Sequence, residues 1–462
     1  MKWNTSLGRG ASAFFSAILV FAAMTHAAAG QSGPDNAEKW QGFDSRAVEL
    51  DGRVCTLVAP DEAADGMPWA LYATAPDPES PLNRRLLAKG FHIAWMDIDE
   101  LYGNAAAVEH WDALYAWARE NFALAEKPAL VCERHGALLA YGWAARNSDK
   151  AACIYADEPW LQLKPTAGQE TPDAVMAQAQ AAHDVTDPEQ TDITPLGHAA
   201  TVGEAEIPVM HLYAGRRPGV APDKSIEQFY SIYRFAGRGE YESFFKPAIS
   251  EGSRHDLTVA ALVFLLKHTG ALPGMPMETP IAAMPHWKVA DFAGRAEVRV
   301  LDDILVIEQG NDMTGIVCAQ EPPLCNYEIM LDAMRLSGGD FFCGLTAPYK
   351  NTCFSLIVGG WGGTCVGISS IDWLDAYHNE TAVFRSFDDH RWYRIRLRVT
   401  DGAIQAWIDG KETVTLDVAD RDLDIRWEMA PTTPLGVATW RTTGAIKNFS
   451  IRRIEDIQNM PL

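Results

Sequence analysis

The sequence predicts two differently built halves, a mainly parallel sheet wrapped by helices followed by an all-β sandwich. Three observations carry this. From about Arg53 to His268, short apolar runs alternate with helical stretches, the pattern of a parallel sheet covered by helices. Residues 268–286, HTGALPGMPMETPIAAMPH, are dense in Pro, Gly and Met and read as a linker. Beyond them the helical period disappears. Apolar runs separated by Gly, Asp and Asn recur at short spacing, as in a sandwich of roughly 170 residues.

Taken in order, RVCTLVAP, FHIAWMD, KPALVCE, KAACIYAD, EIPVMHLY and YESFFKP read as buried strands. Between them AAAVEHWDALYAWARENF, PDAVMAQAQAAH, SIEQFYSIYRFAG and DLTVAALVFLLKH read as helices. Residues 158–206 are polar, rich in Thr, Asp, Gln and Pro, and are expected to form an insertion or lid over one sheet edge. In the second half, RWYRIRLRVT and AIQAWIDG alternate apolar and polar residues almost perfectly, the mark of antiparallel strands with one face in the core. TDGA at 400–403 and DGK at 409–411 supply hairpin turns.

The chain has 462 residues, with 39 Lys+Arg against 61 Asp+Glu and a net charge of −22. Such an acidic chain is a poor partner for nucleic acid, which needs a basic surface. The first thirty residues read as an export signal: Lys2 and Arg9 are basic, Ala11 to Met24 is apolar and Ala27–Ala29 are small. The apolar run is too short to span about 30 Å of hydrocarbon, so no transmembrane segment is expected in the mature chain. Cleavage near Ala29 or Gly30 removes the two cations and takes the charge from −22 to −24. The expected location is periplasmic or extracellular, where disulfides are permitted. The expected domains are thus 31–267 and 287–462, joined by 268–286.

Residues 127–147, KPALVCERHGALLAYGWAARN, carry the most informative local pattern of the first half. A strand ends in a tight turn and a helix opens at once, where an α/β hydrolase holds its nucleophile. With LLAKGFHIAWMDIDELYGNAAAVEHWDALYAWA and DKAACIYADEP, the segment resembles secreted bacterial α/β hydrolases of the sialate O-acetylesterase-like kind. Their elbow reads G-M-S-R-G-G. Laid on Cys132 to Ala137, that motif puts Arg134 at the nucleophile position. A guanidinium cannot attack an acyl carbon. Gly215 falls where the triad acid is expected, and His255 near the place of the triad histidine. The resemblance therefore implies a degenerate hydrolase domain kept as scaffold or binding module. Arg134, His135, Arg216 and Arg217 could alternatively form an anion pocket.

The second half resembles the 3-keto-disaccharide hydrolase domain family over 304–450. The matching runs are ILVIEQGNDMTGI, GGDFFCGLTAP, CFSLIVGGWGGTCVGISSIDWLDAYHNET, RWYRIRLRVTDGAIQAWIDGK and PLGVATWRTTGAIKNFSIR. The resemblance implies a concanavalin-like jelly roll and a glycoside or 3-keto-sugar substrate. A carbonyl at sugar C3 acidifies the C2 proton, so cleavage can run as base-assisted elimination followed by hydration, with a divalent metal polarising the carbonyl.

Local chemistry nominates residues for that site. GGWGG at 359–363 allows close approach to Trp361, whose indole either stacks on a sugar ring or is buried at a bulge. The segment 371–381 gathers Asp372, Trp373, Asp375, Tyr377, His378, Asn379 and Glu380, suited to a carbohydrate site, to Ca²⁺, or to a solvated loop. Glu308, Asp372 and Glu380 are the catalytic candidates. Trp361, Trp373, Tyr377, His378, Asn379 and Arg385 are the substrate-binding candidates. Cys343 with Cys353, and Cys318 with Cys325, are candidate disulfides, free buried thiols being the alternative. The expected function is an exported carbohydrate-active hydrolase or lyase acting through the sandwich. A non-catalytic carbohydrate-binding protein is the second reading and an acyl esterase in the first half the third.

Overall fold

In the computed structural model, residues 38–163, 173–185, 192–213, 224–246, 253–272 and 286–455 are described. The expected signal segment, Gly215, Arg216, Arg217 and most of the Pro/Gly-rich stretch 268–286 lie outside them. The first sheet contains β1 (Glu38–Trp40), β2 (Phe43–Leu50), β3 (Arg53–Val58), β4 (Trp69–Tyr72), β5 (His92–Met96), β6 (Ala129–Glu133), β7 (Cys153–Asp157), β8 (Val209–Tyr213) and β9 (Tyr241–Phe245). Their order is β1-β2-β3-β5-β4-β6-β7-β8-β9. The pairings from β1 to β5 are antiparallel, and every pairing from β5 through β9 is parallel. An antiparallel lead-in, one exchange of order and a long parallel run make this an α/β-hydrolase sheet.

Helices cover both faces. α1 (Pro81–Ala88) and α7 (Leu257–His268) pack on one, and α2 (Ala105–Phe122), α3 (Gly136–Arg146), α5 (Pro195–Glu204) and α6 (Lys224–Ala236) build the core on the other. α4 (Asp173–Ala182) lies in the predicted insertion and packs through Met176 and Ala179 on Leu138 and Trp160. The Asn104 side chain caps α2 by accepting from the Ala107 N–H at 3.1 Å, and Asp256 caps α7 on the Val259 N–H at 3.2 Å. Every residue of α7 from Val259 to Leu266 is buried, which a surface helix with one apolar stripe would not show.

The reason is the second half. Its strands are β10 (Trp287–Val289), β11 (Val298–Leu301), β12 (Ile304–Ile307), β13 (Met313–Cys318), β14 (Tyr327–Gly338), β15 (Cys343–Tyr349), β16 (Thr352–Gly359), β17 (Cys365–Ser369), β18 (Val383–Phe384), β19 (Tyr393–Val399), β20 (Ala403–Ile408), β21 (Lys411–Asp417), β22 (Gly436–Trp440) and β23 (Thr442–Arg453). They form two antiparallel seven-stranded sheets, β10-β13-β22-β15-β16-β17-β18 and β11-β12-β23-β14-β19-β20-β21. One core holds Leu345, Leu356 and Val366 of the first sheet with Ile329, Ile395 and Leu397 of the second, so the sheets stack as a sandwich. The alternation read in RWYRIRLRVT is realised in β19, where Tyr393, Ile395, Leu397 and Val399 are buried. Asp409 and Gly410 turn the β20–β21 hairpin at φ 53° and 78°, the pair of left-handed residues a two-residue loop requires.

The sheet containing β12 turns its other face to the α/β half. Ile304, Val306, Met334 and Leu336 share one core with Leu86 of α1 and Leu262 of α7. Around that apolar contact, Asp332 on β14 accepts from Arg254 at 2.6 Å, from Arg394 at 2.7 and 2.8 Å and from Asn448 at 2.8 Å.

The cysteine pairings are corrected by the register. β15 and β16 pair Cys343 with Val358 and Cys353 with Pro348, which puts the two thiols at opposite ends of the hairpin. Cys318 sits opposite Trp287, while the Cys325 thiol donates to Asp401 at 3.5 Å. All eight cysteines are free thiols. Among the described residues no helix is long and apolar enough to cross a membrane.

Candidate functional site

The turn between β6 and α3 has the backbone of a hydrolase elbow, with an arginine at its apex. Arg134, between β6 and α3, has φ 48°, the strained left-handed turn that presents a nucleophile. Its N–H donates to the Asp157 carbonyl at 3.0 Å, and its carbonyl accepts from the Trp160 N–H at 3.0 Å. Behind it a Cβ on Gly136 would lie 3.1 Å from the Ala73 Cβ, so α3 packs directly on the loop after β4. The Arg134 side chain is exposed. His135 is turned away, its ring against Tyr102 and Trp160 at 5.2 and 5.8 Å.

His255 does not complete a triad with this position. Its Nδ1 meets the Ser253 Oγ at 2.6 Å, its Nε2 lies 3.8 Å from Asp388 and its backbone bridges Arg391, so its charged neighbours belong to the sandwich. Cys132 is buried, its thiol donates to the Tyr155 carbonyl at 3.7 Å, and burial pushes its pKa far above the range of a reactive thiolate.

The sandwich carries a cleft of about 250 Å³ on the outer face of the β10–β18 sheet. Alternation places its floor. Leu356 and Val358 of β16 enter the core, while Ser355 and Ile357 point outward into the cleft. Met313 on β13 and Trp440 on β22 join them, and Phe341 and Met429 close the apolar side. Trp361 stands on the rim at φ 49°, in a GGWGG turn where Gly359, Gly362 and Gly363 are also left-handed. Its ring is 37% exposed and lies 6.0 Å from the ring of Tyr377.

The polar groups of the cleft are few and placed. Asp340 accepts from the Phe341 N–H at 2.8 Å and from the Gly362 N–H at 3.1 Å. Glu428 accepts from Arg426 at 2.7 and 3.3 Å, and those hydrogen bonds hold its carboxyl below the usual carboxylate range. Arg426 also reaches Asp375 at 3.4 Å, and Asp375 holds the His378 Nδ1 at 2.8 Å. The Ser355 hydroxyl is tied to Thr346 at 3.0 Å. The Ser369 hydroxyl, on a residue only 2% exposed, has no hydrogen-bond partner among the described residues. A buried hydroxyl left unpaired is costly unless a ligand or water meets it.

Of the residues nominated from sequence, Trp361 lines this cleft and Tyr377 packs against it, with His378 linked through Asp375. Asp372 and Glu380 are brought together elsewhere, both salt-bridged by Arg421, and the Asp422 N–H and Arg421 hold the Asp372 carboxyl low. Trp373 is 80% exposed. Asn379 is buried and donates to the Ile368 and Asp375 carbonyls at 2.7 and 2.8 Å, so its amide organises the loop. Arg385 stacks over Phe387 at 4.9 Å. Glu308 follows Ile304 and Val306 in the alternation, faces the α/β half and binds Arg299 at 2.7 Å.

Asp340, Arg426 and Glu428 were missed. Asp340 stands in GGDFFCGLTAP, where the apolar residues beside it carry a strand signal and a lone aspartate carries none. Glu428 falls in DIRWEMAPTT, between the runs that carry the family resemblance. No group of three or more His, Cys, Asp or Glu side chains converges as a metal site among the described residues.

A scan against protein-family models finds no match, and no curated protein matches. Solved structures similar to the chain include a cold-adapted esterase from an Arctic intertidal metagenomic library, at 11% identity over 49% of this chain and 93% of that one, with a TM-score of 0.33. They also include S-formylglutathione hydrolase from Staphylococcus aureus, at 10% identity over 49% and 98%, TM-score 0.38. MPT51 of Mycobacterium tuberculosis is similar at 16% identity over 50% and 98%, TM-score 0.35. The strand order of the first sheet stands on its own as the evidence for the α/β-hydrolase fold.

Proposed function

We propose that this is a carbohydrate-active protein that takes a sugar ring in the outer cleft of the sandwich and cleaves its glycosidic bond there. One observation carries the reading: a rim tryptophan, an unpaired buried hydroxyl at Ser369 and two carboxylates, Asp340 and Glu428, share one cleft. A pyranose offers an apolar face for the indole and hydroxyls for the polar groups. Glu428, kept ionised by Arg426, is the base of this proposal. On a 3-keto-glycoside it takes the C2 proton, the C2–H electron pair forms the C1–C2 double bond and the glycosidic oxygen leaves C1. The departing oxygen takes a proton from solvent, and water then adds across the double bond, its hydroxyl to C1 while Glu428 returns the proton to C2. The sequence runs of the 3-keto-disaccharide hydrolase family support that substrate class.

A second reading, binding without cleavage, is favoured by the hydrogen bonds from Arg426, which hold Glu428 ionised and so unfit it as the general acid that an unactivated glycoside requires. The third reading, acyl transfer in the first half, has against it an arginine at the nucleophile position. Incubation with aryl 3-keto-glucosides and their unoxidised parents, with added metal or chelator, separates the readings. Release from the keto substrates alone, lost in Glu428→Gln, fits elimination. Saturable sugar binding without release fits the second reading.

A further inference from the structure

A second cavity, of about 230 Å³, lies beneath the C-terminal edge of the first sheet, between the sheet and helices α1 and α7. Its floor follows from strand register. Tyr72 of β4 pairs with Val131 of β6, which pairs with Tyr155 of β7, and this row shares one face of the sheet. Two residues further along the same strands, Glu133 and Asp157 stand directly opposite each other. Neighbouring strands lie about 4.8 Å apart, so two carboxylates are set side by side at the cavity lip.

The charges there are unbalanced. Among the described residues, Asp77, Glu133 and Asp157 line the cavity against one cation, the ammonium of Lys246, which is spent on Asp157 at 2.5 Å and Glu158 at 3.1 Å. Glu133 has no ion pair among the described residues. Burial, reinforced by the charge of Asp157, pushes the Glu133 carboxyl up. An independent feature points to a ligand. Tyr155 is 7% exposed and lines the cavity, yet its hydroxyl has no hydrogen-bond partner among the described residues, whereas the Tyr72 hydroxyl is satisfied by Asn83 at 2.5 Å.

We propose that this cavity binds a small organic ammonium ion, its charge set against Glu133 and Asp157 and its substituent lodged on the Tyr72 and Tyr155 rings. Carboxylates supply the counter-charge, the Tyr155 hydroxyl accepts a hydrogen bond from the same ammonium, and the aromatic faces pack on the apolar substituent. The volume falls below the ~300–1,000 Å³ of drug-sized sites, so the ligand is small. The absence of a third converging metal ligand among the described residues favours an organic cation over a divalent metal. The site is independent of the sandwich cleft and opposite in charge to the anion pocket suggested by Arg134, whose side chain does not line it.

The test is calorimetric titration of the full chain with propylammonium, propionate, 1-propanol and Ca²⁺, near-isosteric heads on one substituent plus the competing metal. The proposal expects saturable binding of propylammonium only. It expects affinity at least tenfold weaker in Glu133→Gln and severalfold weaker in Tyr155→Phe. Both variants should keep the wild-type circular dichroism, because among the described residues Glu133 has no ion pair and the Tyr155 hydroxyl no hydrogen-bond partner to lose. No saturable propylammonium binding, equal affinity in both variants, or preferential binding of propionate or Ca²⁺ would overturn it.

Discussion

Arg426 donates to both carboxylate oxygens of Glu428, Nη2 to Oε1 at 2.7 Å and Nε to Oε2 at 3.3 Å. A fork of this kind fixes the carboxylate in direction as well as in charge. Glu428→Gln should lower turnover of a 3-keto-glycoside at least 100-fold. Stability should change by less than about 1 kcal/mol, because an ion pair this close to solvent contributes little. Since Arg426 holds the carboxyl below its ordinary value, the acid limb of the wild-type rate profile should fall below the usual glutamate range of about 4.3. A pH–rate series on wild type and Arg426→Lys checks this, the variant's limb moving up.

Acid should weaken the fold in two windows. His390 is buried, its Nε2 at 2.9 Å from the Leu336 carbonyl, and burial lowers its pKa to about 4; His211 is lowered to about 3. Below about pH 6.5 the unfolded chain takes up protons that the folded protein refuses. Stability therefore falls from there toward pH 4, by about 3 kcal/mol for His390 alone. Asp332 is the opposite kind of group. Arg394, Asn448 and Arg254 outweigh its burial and hold it at about 2. Its contribution of about 2 kcal/mol is fully present above pH 4 and is lost as the pH drops toward 2. Urea unfolding at fixed pH values measures both windows, and His390→Phe and Asp332→Asn should each flatten its own.

Arg134→Ser restores a hydroxyl at the elbow without restoring a hydrolase. The histidine expected from sequence to serve as base, His255, is engaged by Ser253 and faces Asp388, so short acyl esters should remain uncleaved by the variant. Arg134→Gly should raise stability by about 1 kcal/mol, because a left-handed φ of 48° strains any residue with a Cβ. Ester assays and thermal melts of the two variants are the check.

The eight thiols should be free in the folded protein. Alkylation after denaturation without reductant should modify all eight, and reductant should leave the thermal midpoint unchanged. Mass spectrometry of the alkylated chain counts them.

The division into a helix-wrapped sheet and a sandwich was legible because α2 and β19 carry their periods openly in AAAVEHWDALYAWARENF and RWYRIRLRVT. The hydrolase sheet was legible from the elbow, where a strand, a tight turn and a helix follow one another within a few residues. Other elements carried weaker signals. β4 is only WALY, too short to show a period, although it sits at the exchange point of the sheet. The cleft was half legible. Trp361 announced itself through its glycines, but Glu428 acts from a short 3₁₀ turn, Trp427–Thr432, and comes to Asp340 by tertiary folding alone. Glu308 was legible only as a choice between a buried partner and the cleft, because an apolar strand context does not say which face encloses a carboxylate; it pairs with Arg299. The Cys343–Cys353 pair failed for a similar reason, since strand ends adjacent in sequence are not the ends that meet across a hairpin, and Cys318 ends β13 while Cys325 precedes β14, strands of different sheets.

The central claim is that the sugar sits in the outer cleft of the sandwich. Crystals soaked with a glycoside, or with its 3-keto form in Glu428→Gln, test it most directly. The account predicts a pyranose ring against Trp361, a sugar hydroxyl on Ser369 and position 428 within hydrogen-bond distance of C2. A sugar bound instead at Asp372 and Glu380, or in the α/β half with the cleft empty, would contradict it.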